Sequence, residues 1–166
     1  MIPKNAMSAE RHVARYPIRV GEWFEQDRLH RFNYAALSQI VGQDACAENV
    51  LDWGCGNGLW SLGLFPDAEI TGVEIDAKTL GFAELNAKGN LAKFNGLLVG
   101  ETGALQPNHY DVALAMGLIE LINYDDFVKV FGVIFRALKP GGKLICTLHN
   151  WRAFSALYLL WITQGG

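Results

Sequence analysis

The sequence is short of cysteine, of basic charge and of long apolar runs. Its three cysteines, Cys46, Cys55 and Cys146, form an odd set with no CxxC pair, which argues against a disulfide framework or a zinc site and fits a reducing, cytoplasmic setting. Fourteen Lys and Arg stand against seventeen Asp and Glu, a formal charge of −3, so there is no basic excess to neutralise a phosphate backbone and no nucleic-acid partner is expected. Lys4, Arg11, Arg15, Arg19, Arg28 and Arg31 are blunted by Glu10, Glu22, Glu25 and Asp27 between them, the pattern of a solvated helix face. No apolar run reaches the roughly 17 to 25 residues needed to cross a bilayer, and the opening dozen residues carry no apolar signal region. His12, His30 and His109 lack metal-ligand spacing to one another or to a cysteine, so no metal is expected.

What is present is a core. The 166 residues are 51% hydrophobic and 19% charged, enough for one globular domain spanning 1–166. Residues 1–42 read as an entry segment and an amphipathic helix, with Trp23, Leu29, Phe32, Ala36, Leu37 and Ile40 at helical spacing. Across 49–150, short apolar runs (50–53, 70–73, 96–99, 112–115 and 144–148) alternate with helical segments at 59–64, 76–88 and 124–138. Strands separated by helices predict an α/β, Rossmann-like doubly wound sheet, mostly parallel. Lys139, Pro140 and Gly141 end the last of these helices and turn the chain into the fifth strand. Residues 151–166 read as a C-terminal apolar helix. Its AFSALYLLWI run is too short to span a membrane and, with Arg152 as its basic residue, poor in the charge of a lipid-surface helix.

The segment VLDWGCGNGLW carries most information. A buried strand runs into Gly54, Gly56 and Gly58 and then into a helix, and glycines at that spacing let the chain turn sharply while a ligand lies against bare backbone. The second strand, ITGVEID, delivers Glu74 beside the loop, where a carboxylate can accept hydrogen bonds from both hydroxyls of a ribose. A dinucleotide fingerprint places its third glycine where this chain has Leu59. Asp52, just before the loop, suits an ammonium or sulfonium ligand better than a pyrophosphate.

From about Asn49 to Asn150 these residues resemble the class I S-adenosylmethionine-dependent methyltransferases. The matched segments are VLDWGCGNG, ITGVEID, HYDVALAMGLIELI and LKPGGKLICTLHN. The resemblance implies S-adenosylmethionine as cofactor and S-adenosylhomocysteine as product, with Asp52, Gly54, Gly56 and Gly58 around the methionine moiety and Glu74 on the ribose. It also implies that Ile75 faces the adenine, that Glu101 meets the adenine amino group, and that Met116 and Gly117 lie near the transferred methyl, with ordinary strand-end packing the equal alternative for those two. For Glu101 the plainer alternative is an acid at the start of a helix. In the family the sheet normally ends in an antiparallel hairpin, which this chain is expected to lack; self-association or a longer parent protein would cover the gap.

RLHRFNYAAL before the loop and CTLHNWRAFSALYLLWI after the fifth strand are similar to the ubiquinone-biosynthesis type of O-methyltransferase, although this chain has Glu120 followed by Leu121 where that type has Glu followed by His. The resemblance implies a small-molecule acceptor methylated on a hydroxyl. His149 and Glu120 are the candidate general bases, with a polar strand-end residue bonded to backbone the alternative for His149, and Tyr16, Arg19 and Trp23 the candidate lid, with plain packing the alternative for Trp23. Asp or Asn followed by two prolines and an aromatic, a mark of base and amide N-methylation, is missing after the fourth strand. The rival readings are a cofactor-binding domain without activity and a nicotinamide-dependent oxidoreductase.

Overall fold

The computed structural model describes residues 20–25, 28–42, 44, 46–88, 93–149 and 157–163. In chain order these are α1 (Val20–Glu25), α2 (Arg28–Val41), β1 (Asn49–Trp53), α3 (Leu59–Leu64), β2 (Glu69–Glu74), α4 (Ala77–Lys88), β3 (Lys93–Leu98), β4 (Tyr110–Ala115), α5 (Tyr124–Ala137), β5 (Leu138–His149) and β6 (Leu157–Thr163). Short 3-10 turns at Val99–Ala104 and Ile119–Leu121 follow β3 and β4.

The strands form one sheet in the order β3-β2-β1-β4-β5-β6. The first five are parallel, and β6 is antiparallel to β5. β1 therefore lies between β2 and β4, and successive connections leave it in opposite directions. Its last four residues are buried, which is why the run is apolar on both faces rather than alternating.

Alternation along the strands assigns side chains to two cores. Val50, Ile70, Val112, Leu114 and Ile145 pack with Leu37 and Val41 of α2 and Leu62 and Leu64 of α3. On the opposite face Leu51, Trp53, Val73, Ala113, Ala115 and Leu144 pack with Phe131, Ile134 and Ala137 of α5. By the same alternation Asp52 projects to the side of Val50, into the α3 core. Asn123 caps α5, its side chain accepting from Asp126 N at 2.9 Å, and Phe127 stacks on Phe131 at 4.2 Å.

Several sequence expectations change. In α2 the buried face is Asn33, Leu37 and Val41, at i, i+4 and i+8, and Phe32 is 65% exposed; the face is turned from the expected stripe because Leu37 and Val41 dock against the sheet. β5 begins at Leu138 rather than Leu144. Leu138 already pairs with Tyr110, and the register shifts before Val112 pairs with Lys143, so Lys139–Gly142 form a bulge inside the strand. Gly142 sits tightly there, since a Cβ would come within 2.8 Å of Lys139 O. The expected C-terminal apolar helix is corrected over 157–163, which form β6 and supply backbone partners to the edge of β5 from Lys143 to His149, while 151–156 and 164–166 lie outside the described residues. Leu157–Thr163 is uncharged and rich in residues that favour strands, and periodicity alone does not separate so short an apolar run from a helix. Among the described residues one antiparallel strand thus follows β5, where the sequence predicts none. Of the expected lid, Tyr16 and Arg19 lie outside the described residues, while Trp23 is buried against Leu59 and meets Trp60 edge-on at 5.4 Å.

Candidate functional site

Open parallel sheets bind ligands beyond the carboxyl ends of their strands, where connections diverge. Here that point lies between β1 and β4. Gly54, Gly56 and Gly58 all adopt positive φ, at 75°, 55° and 72°. The loop is tied to β2 by Gly54 N and Cys55 N, which both donate to Val73 O at 2.8 and 3.1 Å. A Cβ on Gly54 would lie 3.3 Å from Leu118 Cδ1, so the loops after β1 and β4 touch. A Cβ on Gly56 would meet nothing within 4 Å, which leaves bare backbone facing open space.

Glu74 ends β2 and grips this loop. Its Oε2 accepts from Gly56 N at 3.0 Å, and its Oε1 accepts from Ile75 N at 2.7 Å and Asp76 N at 3.3 Å. A carboxylate has about four lone-pair positions, so the group is oriented by backbone and still has capacity for an incoming hydroxyl. Ile75 beside it is 81% exposed, an apolar surface at the mouth of the site. Asp76 caps α4, its Oδ2 accepting from Thr79 N and Thr79 Oγ1.

Asp52 is 1% exposed, and neither carboxylate oxygen has a hydrogen-bond partner among the described residues. The Ser61 hydroxyl is nearby but gives its proton to Gly58 O at 3.1 Å. Burial, reinforced by the negative charge of Glu74 and only partly opposed by Ser61, pushes the Asp52 carboxyl up to about 7. A buried acid with no partner is costly unless something else satisfies it; a cationic or hydrogen-bond-donating ligand against the glycine loop would do so. Cys55, in the same loop, is buried, and that burial pushes its thiol far above the ordinary range, so it is not a nucleophile.

At the end of β4, Met116 is half-buried against the α3 core. Gly117 turns with φ 63° and donates its N–H to Thr147 Oγ1 at 2.8 Å. Glu120 folds back toward this turn, 3.8 Å from the position a Gly117 Cβ would take. His149 is the last residue of β5, at the same sheet edge; its side chain lies outside the described residues. Glu101 follows β3, whose last residue Leu98 is paired with Glu74 of β2. Its Oε2 accepts from Leu98 N at 2.8 Å and caps its own 3-10 turn, the plainer of the two sequence readings.

Two contributors escaped the sequence reading. Thr147, 4% exposed, anchors Gly117, and its signal was a hydroxyl in an apolar strand. Asn86, fully buried on α4, donates to Asn57 O at 2.9 Å and supports the loop from beneath. Its signal was an amide on the helix face that also carries Leu80, Ala83 and Ala87.

A groove of about 380 Å³ lies at the amino ends of β1, β4 and β5, where Lys139 pairs with Asp111 at 2.5 Å and Lys143 with Asp44 at 2.7 Å.

A glycine loop and two acids at the divergence point of a parallel sheet define a nucleoside-cofactor-binding domain. The comparisons sharpen this. The sequence profile of the methyltransferase domain family matches residues 50–142, and the chain belongs to that family. The site fits the family's cofactor, S-adenosylmethionine: the orphaned Asp52 carboxylate faces a need for positive charge, and Glu74 is oriented for hydroxyls. The chain is 31% identical over 134 residues to a ubiquinone biosynthesis O-methyltransferase of Nitrosospira multiformis, a match covering 78% of this chain and 55% of that protein. It is 27% identical over 157 residues to the Bordetella pertussis protein of the same name, covering 89% and 64%. A crystal structure of a SAM-dependent methyltransferase from Archaeoglobus fulgidus has the same fold, with a TM-score of 0.58, 19% identity and coverage of 73% of this chain and 53% of that one. The chain thus spans between about half and two thirds of the length of these relatives.

Proposed function

We propose that this chain binds S-adenosylmethionine across the carboxyl ends of β1, β2 and β4 and transfers its methyl group to a hydroxyl of a small-molecule acceptor. The observation that carries the reading is the buried, unpartnered Asp52 carboxylate behind a loop of three positive-φ glycines. In this reading Asp52 and the backbone of Gly54, Gly56 and Gly58 hold the aminoacid end of the cofactor, Glu74 holds the ribose hydroxyls, and Ile75 packs on the adenine. Glu101 keeps its cap with Oε2 and has Oε1 to offer the adenine amino group. The similarity to relatives named O-methyltransferases supports oxygen as the acceptor atom.

When bound, S-adenosylmethionine would supply the activation: its methyl carbon would bond to the acceptor oxygen as the carbon–sulfur bond breaks and S-adenosylhomocysteine leaves. The protein's work is then to position the acceptor, exclude water and take one proton. Met116 and Gly117 form the floor where the acceptor oxygen approaches, with Gly117 fixed by Thr147. The hydroxyl proton goes to Glu120, which folds over Gly117, or to His149 at the end of β5.

Incubation with S-adenosylmethionine and a panel of phenolic, amine and carboxylate acceptors tests the reading: methyl ethers of phenols are the expected products. Glu120→Gln or His149→Ala should lower kcat while leaving cofactor affinity within about twofold. N-methylated products would contradict the choice of oxygen, and tight cofactor binding without turnover on any acceptor would favour a cofactor-binding domain without activity.

A further inference from the structure

The surroundings of Asp52 go beyond holding a cofactor. The carboxylate is walled by uncharged residues of its neighbouring strands, being paired with Gly72 of β2 and Leu114 of β4. α3 brings Ser61, with no titratable side chain along LWSLGL, and α1 brings Trp23 against Leu59, its Glu22 and Glu25 being exposed. The titratable groups that face Asp52 are Glu74 from the end of β2 and Cys55 from the loop. Both add negative charge or none. Among the described residues no cation reaches the carboxylate.

We infer that the cofactor site is proton-linked: below neutral pH Asp52 is a neutral carboxylic acid in the ligand-free protein and gives up its proton to solvent when the ammonium and sulfonium of S-adenosylmethionine enter. The inference rests on the cofactor reading above. One O–H bond of the carboxyl is broken, the proton leaves to buffer, and the resulting anion is balanced by the arriving positive charge. An ionised Asp52 alone would be a buried charge beside the Glu74 anion, and the upward shift of its carboxyl reflects both. Below neutrality, binding must therefore remove a proton, and affinity for the cation falls about tenfold per pH unit. The amino group of the ligand titrates near 8, so between pH 5 and 6.5 it is charged throughout and adds nothing to this slope.

Carboxyl-carbon NMR titration of the ligand-free protein, parent against Asp52→Asn, reads the first half. A resonance with a midpoint near neutrality, missing from the variant, is expected; every carboxyl titrating near its ordinary value would overturn the inference. Calorimetric titration with S-adenosylmethionine at pH 6 in two buffers of different ionisation heat reads the second. The expected result is about one proton released by the parent and a tenfold weaker affinity at pH 5. Should Asp52→Asn fail to fold, the parent's proton count carries the test alone. Binding with flat affinity and no proton release refutes the inference while leaving the cofactor reading standing. Absence of binding at every pH, by folded protein, overturns both.

Discussion

Glu74 Oε2 accepts a hydrogen bond from Gly56 N at 3.0 Å, so the acid that ends the second strand is also a clamp on the glycine loop that ends the first. Sequence spacing brings the two ends together, and this bond sets their relative orientation. The same carboxylate receives Ile75 N and Asp76 N on its other oxygen.

This dual role makes two Glu74 substitutions informative. Glu74→Ala removes the ribose partner and the loop clamp together, and cofactor affinity should fall by about 1–3 kcal/mol, with a lower Tm. Glu74→Gln keeps one acceptor oxygen and should lose less of both. Calorimetry and thermal unfolding on the two variants check this, and Glu74→Ala binding as tightly as the parent would remove Glu74 from the site.

Gly72 lies in the middle of β2 opposite Asp52. A Cβ there would fall 2.3 Å from Phe94 Cζ and 2.9 Å from Cys55 Sγ. Gly72→Ala should therefore destabilise the fold by overpacking, by about 1–3 kcal/mol. Because the obstruction is mainly the Phe94 ring, Phe94→Leu in the same chain should recover part of that loss. Denaturant unfolding of the single and double variants decides it, and strictly additive losses would mean that Phe94 is not what the methyl group meets.

Much of this arrangement was legible in the sequence. The glycine loop, the acid after the second strand and the alternation of strand with helix follow from local chemistry: three residues tolerant of positive φ between an apolar run and a helix, and one acid at a strand end. What escaped depends on tertiary contact. The Gly56–Glu74 bond, the Gly117–Thr147 bond and the Asn86 support under the loop join residues 18, 30 and 29 apart in sequence, and no local pattern announces them. Glu101 had two readings of equal local merit, and its short reach to Leu98 N favours the cap. The final apolar run reads as a helix because its composition permits either element; the edge of β5 supplies the partner that periodicity does not encode.

Stability should respond to pH through Asp52. Its folded carboxyl is raised from 3.8 to about 7, so between those values the folded chain holds a proton that the unfolded chain has lost. Folding is then favoured at the low end and weakened as pH rises toward 7. From pH 5 to pH 8 this group alone should cost about 3 kcal/mol, and Asp52→Asn should abolish that part of the dependence. Unfolding in denaturant at the two pH values, parent against variant, measures the difference; parallel pH profiles would contradict the assignment.

The central claim is that the glycine loop and its two acids form an S-adenosylmethionine site, and the most direct test is isothermal titration of the purified chain at pH 7.5. Micromolar binding of S-adenosylmethionine and S-adenosylhomocysteine, with none of NAD, is the predicted result. No binding of either sulfur ligand by demonstrably folded protein, or NAD binding as tightly as they do, would contradict it.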